Sequence, residues 1–142
     1  MLLVDVRGVP LSIVVTGANR HDVSQLSATL DALVVARPAV TSRCRQHLCA
    51  DAGFVGAPAQ QQMLDRHYTA HVRPRGEERK QLGEGKRARR WVVEVSHSWF
   101  TRFRKLLVRY EKTHRSYMAL NMLAAAIISF RRVPAKVNII YG

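Results

Sequence analysis

Negative charge is what this chain has least of: 10 Asp and Glu face 23 Lys and Arg, leaving a formal net charge of +13 and an isoelectric point near 11.0. A molecule so poor in carboxylates repels basic partners and draws polyanions. Cysteine is nearly as scarce. Cys44 and Cys49 are the only two, which excludes a disulfide framework and fits a reducing cytoplasm. His47 lies between them, but no fourth ligand follows at zinc-finger spacing, so a strand-core role for cysteine is the better reading. Long apolar runs are also missing. The longest, residues 118–130, is interrupted by Asn121 and Ser129 and is too short to cross a bilayer, and no charged-then-apolar leader opens the chain. The expectation is a cytoplasmic, nucleoid-associated protein with no membrane segment.

What is present is enough for one folded unit: 142 residues, 47% of them hydrophobic. The charge is polarised. Residues 1–71 hold 6 Lys/Arg against 5 Asp/Glu, whereas residues 72–142 hold 17 against 5. Neutralising phosphates with such a surface releases condensed counterions, so nucleic acid is a better expected partner than an acidic membrane. The competing reading is a solvated basic surface that binds nothing.

Along the chain, two β-branched runs flank Asp5, Gly8 and Pro10, which predicts a hairpin over residues 1–17. It begins at the first residue, with no cap or loop before it, so the domain is expected to start upstream. Asp22 followed by Gln25 resembles a capping box opening a helix that carries Val23, Leu26, Leu30, Leu33 and Val34, closed by Pro38. Residues 47–51 read as a short buried strand ending in Asp51, residues 56–66 contain a helix, and 68–72 form another strand. Residues 73–89 have almost no apolar side chain except Leu82 and read as a mobile basic loop. Helical spacing of Val92, Val95, Trp99, Phe103 and Leu106 predicts one long amphipathic helix over 89–108, and Met118, Leu120, Leu123, Ala124 and Ile127 a last one over 116–132. Strands alternating with helices place the chain in the α/β or α+β class.

Two carboxylates stand out. Glu94 sits in a polar stripe of the long helix with Arg90, His97, Thr101 and Arg104, and is the only acid among eight Lys/Arg between Gly85 and Tyr110. That is a poor lattice of surface ion pairs but a reasonable way to carry a metal-binding group to phosphate; an ordinary pair with Arg90 is the plain alternative. Asp51 ends an apolar strand ahead of Gly53, where α/β folds present functional groups, although Asp also simply forms turns. Asp5 reads as a hairpin-turn residue and Asp22 as a helix N-cap. A hard cation such as Mg²⁺ is held by oxygen ligands, so Asp51 and Glu94 together make a two-ligand hypothesis.

Four segments, taken in order, carry a resemblance: residues 4–11, reading Val-Asp-Val-Arg-Gly-Val-Pro-Leu; 16–22, reading Thr-Gly-Ala-Asn-Arg-His-Asp; 49–54, reading Cys-Ala-Asp-Ala-Gly-Phe; and 89–94, leading through Trp99 to 102–106 and 109–111. Together they resemble the DDE transposases of bacterial insertion sequences, in the group with a tyrosine-arginine-glutamate-lysine signature around the catalytic glutamate. The resemblance implies that Asp51 is the second catalytic aspartate, Glu94 the catalytic glutamate and Arg90 the signature arginine. Arg87 and Thr101 stand where the signature tyrosine and lysine would fall, and Arg102 or Arg104 could substitute near the DNA ends. The first catalytic aspartate of such enzymes lies on a strand upstream of the hairpin, before Met1.

The implied fold is ribonuclease H-like, a mixed sheet flanked by helices, here lacking its first strand, with residues 1–133 as a partial catalytic domain and 134–142 as a tail. The implied cofactor is Mg²⁺ or Mn²⁺, and the implied partner is DNA, both element ends and target. An upstream reading-frame product and self-association on DNA follow from the same likeness. Arg73, Arg75, Arg79, Lys80, Lys86, Arg87, Arg89, Arg90, Arg102 and Arg104 are the expected phosphate contacts. The alternative from another class is a noncatalytic basic nucleic-acid-binding module in which Trp91 and Trp99 stack on bases; the apolar stripe makes core packing the better reading for Trp99.

Overall fold

The computed structural model describes residues 1–17, 19–72, 74 and 91–132. Two short strands open it, β1 (Leu2–Val4) and β2 (Pro10–Ile13), paired antiparallel with Leu2 opposite Ile13 and Leu3 opposite Ser12. Asp5 closes their turn as expected, its Oδ1 accepting the backbone N–H groups of Arg7 and Val9, each at 2.8 Å. Gly8 adopts φ +81°, a backbone conformation that L side chains rarely take.

A 3₁₀ turn, Asp22–Gln25, leads into α1 (Leu26–Asp31). Two expectations are corrected here. Asp22 is not an N-cap: His21 holds that position with no side-chain cap, and Gln25 donates to Ser24 Oγ instead. Nor does the helix reach Val34. The chain leaves the helical region at Ala32, and the Val34 N–H is recruited by the Leu11 carbonyl of β2 at 3.1 Å. A tertiary backbone bond thereby replaces the turn of helix that the apolar pattern favoured, and the Val34 side chain stays exposed.

Next come β3 (Gln46–Ala50), α2 (Ala57–Leu64) and β4 (Tyr68–Val72), a βαβ unit whose strands run parallel with Gln46 beside Tyr68 and Ala50 beside Val72. Pro58 in the first turn of α2 has the fixed φ a helix start needs and gives up an N–H that would be unbonded there. Leu48 and Tyr68 face inward onto Leu26, Leu30, Ala59 and Met63, the first core, with Met63 wholly enclosed.

The predicted long helix is two. α3 (Trp91–Thr101) ends in a turn, and α4 (Arg104–Leu107) restarts after Phe103 takes an extended conformation, φ −83° and ψ 105°. Ser98 and Thr101 at the end of α3 donate their hydroxyls to the carbonyls of Val95 and Ser98, a local competition that weakens the helical ladder there. The break lets Phe103 and Leu106 pack beside α5 (His114–Arg132) in a second core built on Ile13, Phe100, Ala124 and Ile128.

The hairpin is common to both cores. Leu3 packs on the first, while Leu2 and Ile13 pack on the second, as alternation across a strand requires. Ser12 Oγ, on the face of Leu3, donates to the Thr29 carbonyl of α1 at 2.7 Å. The architecture is mixed α and β, but among the described residues the strands form two separate pairs, one antiparallel and one parallel, rather than one mixed sheet. The expected tail, 134–142, lies outside the described residues.

Candidate metal and nucleic-acid site

Asp51 follows the last residue of β3 and caps a short 3₁₀ turn, Ala52–Phe54, its Oδ1 accepting the Gly53 N–H. It is solvent-exposed, so the turn-forming role and an outward-facing carboxylate coexist in one residue. Glu94 lies in the first turn of α3, also exposed. The two acids belong to differently packed halves: the strand of Asp51 is seated on the first core and the helix of Glu94 on the second.

The register of the parallel pair relates them to the basic segment. Ala50, just before Asp51, pairs with Val72, just before the Lys/Arg-rich stretch, and parallel strands leave both chain ends on the same edge. At its other end that stretch enters α3 at Trp91, three residues before Glu94. In sequence, residues 73–90 hold eight Lys/Arg against three Glu and join β4 to α3. The expected phosphate contacts Arg73, Arg75, Arg79, Lys80, Lys86, Arg87, Arg89 and Arg90 lie outside the described residues; Arg102 and Arg104 are described and exposed. Arg104, expected on the stripe of Glu94, sits instead beyond the helix break, on α4.

What positions Glu94 is a residue that sequence reasoning passed over. Ser96 is fully buried in the apolar face of α3, and its Oγ lies 2.9 Å from both the Gly8 carbonyl and the Val92 carbonyl. A Cβ on Gly8 would lie 2.7 Å from that oxygen and 3.1 Å from the Trp99 ring, so the hairpin turn seats directly on the helix. The available signal was a small hydroxyl between Val92 and Trp99 on an otherwise apolar stripe. Trp99 is a packing residue, covered by the Arg132 guanidinium 3.9 Å from its ring centre.

Between hairpin, α3 and α5 lies an open cavity of about 390 Å³ lined by Ile13, Arg20, His97, Phe100, Tyr117 and Asn121 among others. Partial burial there, followed by the nearby Met1 ammonium, lowers the pKa of His97 and favours its neutral form at physiological pH. Among the described residues, no three His, Cys, Asp or Glu side chains gather as a metal site, Cys44 and Cys49 are free and exposed, and no helix is long and apolar enough to cross a membrane. The exposed Cys49 corrects the strand-core reading: it points to the outer face of β3, with the His47–His71 pair, whose Nδ1 and Nε2 are 2.8 Å apart.

The unit is α+β, with one exposed acid at a strand end and another on a helix. Comparison with known sequences is more specific. The family described as Transposase DDE domain matches residues 48–131, more than half of the chain, so the chain belongs to the DDE-domain transposases. It is also 31% identical over 132 residues to the transposase assigned to insertion sequence element IS402 of Burkholderia cepacia, in an alignment spanning 89% of this chain and 60% of that protein. No solved structure matches it significantly.

Proposed function

We propose that this chain is the acid- and cation-bearing part of a catalytic domain that cleaves and joins DNA, with Asp51 and Glu94 as two of its metal-binding carboxylates. The observation that supports this reading is the parallel register, which sets Val72, where the basic sequence begins, beside Ala50 and so next to Asp51.

The donor set suits a hard divalent ion, Mg²⁺ or Mn²⁺: two exposed carboxylates, Asp51 retaining Oδ2 after Oδ1 accepts from Gly53. When bound, such an ion supplies activation of an attacking oxygen and charge neutralisation at phosphorus. Asp51 and Glu94 would hold it, Ser96 would fix the helix that carries Glu94, and the arginines would bind and orient the DNA backbone. The likeness to DDE enzymes calls for a further carboxylate, and a strand preceding β1 is its proposed source.

On this reading the 142-residue chain binds DNA but neither cuts nor joins it with Mg²⁺, and adding the upstream segment, on the same chain or as a separate product, restores activity. In the restored protein, Asp51→Ala or Glu94→Ala lowers strand transfer by about 1000-fold, roughly 4 kcal/mol of barrier, with DNA binding retained. Strand transfer by the purified 142-residue chain would overturn the missing-ligand argument. Full activity of either alanine variant would overturn the site.

A further inference from the structure

Outside the carboxylate-flanked stretch, one exposed corner concentrates positive charge and an aromatic ring. It runs from the turn after α3, through α4, to the first turn of α5. Arg102, Arg104, Lys105, Arg109, Lys112 and Arg115 fall within fourteen residues, all exposed, against the single acid Glu111. The positive end of the nineteen-residue α5 opens at the same corner, with no acidic residue in its first turn. Arg109 is held over Tyr117 at 4.8 Å, which fixes one cation against the helix. In the midst of these charges Tyr110 is 71% exposed, with Leu107 and Val108 also open to solvent.

Tyr110, Leu107 and Val108 give this face an apolar component among its cations. Lys and Arg that track a phosphate backbone, with an aromatic ring free to stack, are the two components of a surface for unpaired nucleotides. A blunt duplex uses only the first component, since its bases are already stacked on one another. We infer that this corner binds DNA bearing a single-stranded segment, the cations holding its phosphates and Tyr110 stacking on an unpaired base. The inference rests on the DNA-processing reading above, and adds Tyr110 and a preference for DNA with an unpaired end to the phosphate contacts already expected of Arg102 and Arg104.

Fluorescence anisotropy with the 142-residue chain and two probes, a blunt duplex and the same duplex with a short 3′ or 5′ overhang, tests it. The expected result is tighter binding of an overhang probe, and loss of that preference by roughly tenfold in Tyr110→Ala with retention in Tyr110→Phe. Replacing Arg102, Arg104 and Arg109 together with alanine should weaken both probes and flatten the slope of log affinity against log salt by about 2 to 3. Circular dichroism establishes that each variant is folded. Equal affinity of the wild-type chain for blunt and overhang probes, or Tyr110→Ala with an undiminished preference, would overturn this inference and leave the carboxylate site standing. Failure of the wild-type chain to bind either probe would overturn the DNA reading itself.

Discussion

The two halves of this molecule are packed in different ways. Around β3, α2 and β4 the core is a βαβ unit of contiguous sequence, in which Leu48, Ala59, Met63 and Tyr68 come from one stretch of twenty-one residues and are joined by Leu26 and Leu30. Around α3, α4 and α5 the core depends on a distant partner: Ile13 of the hairpin packs on Phe100, Ala124 and Ile128. One acid of the proposed site is mounted on each half. Their relative position is therefore set by the hairpin, which sends alternate side chains to the two cores and seats its turn on Ser96. The difference teaches that the first half is built mostly from contacts near in sequence, whereas the second depends on the distant hairpin.

Three substitutions would break or sharpen this contrast. Met63→Ala, in the fully enclosed centre of the local core, should have the largest effect, about 2–5 kcal/mol of unfolding free energy by urea denaturation. A loss confined to amide protection in β3, α2 and β4 would show the halves unfolding separately; uniform loss would make them one cooperative unit. Gly8→Ala comes next. It places a methyl 2.7 Å from Ser96 Oγ at φ +81°, and should cost roughly 1–3 kcal/mol, with hydrogen exchange rising first in the hairpin and α3. Unchanged protection of α3 in that variant would refute the role given to the hairpin.

The smallest effect belongs to Asp31→Asn. Its ion pair with Arg66, 2.7 Å long, ties α1 to the end of α2 but is solvent-exposed. The Arg66 guanidinium, by its hydrogen bonds, holds the Asp31 carboxyl below its ordinary pKa. A carboxyl depressed in the folded state contributes stability above its unfolded pKa and loses it as pH falls through the folded one. Wild type and Asp31→Asn should therefore differ slightly at neutral pH and converge in strongly acid solution, as thermal melts across pH would register. A gap that widened on acidification would contradict the sign.

Much of the fold could be read along the chain because its signals were local. The Asp5–Gly8 turn, the strands on either side of α2 and the existence of α5 follow from residue type at short spacing, although the buried face of α5 is Ala124 and Ile128, with Leu123 of the expected stripe exposed. The errors share a cause. Val34 left its helix to bond with Leu11, and Phe103 broke one to reach the second core, and neither partner is near in sequence. Asp51 at a strand end and Glu94 on a helix were legible for the same local reason. The pairing of Ala50 with Val72, which sets the basic stretch beside Asp51, was not, since parallel register is fixed by packing across a crossover rather than by any turn.

Sequence by itself determined the polarity of charge, the family likeness and most of the strands and helices, because each depends on side-chain chemistry and nearest neighbours. Only the tertiary structure decided that the strands form two separate pairs, that Ser96 locks Gly8 to the helix of Glu94, and that Tyr110 stands exposed among cations. Those facts come from contacts between residues far apart in the chain, whose free energy depends on close packing and hydrogen-bond satisfaction in three dimensions.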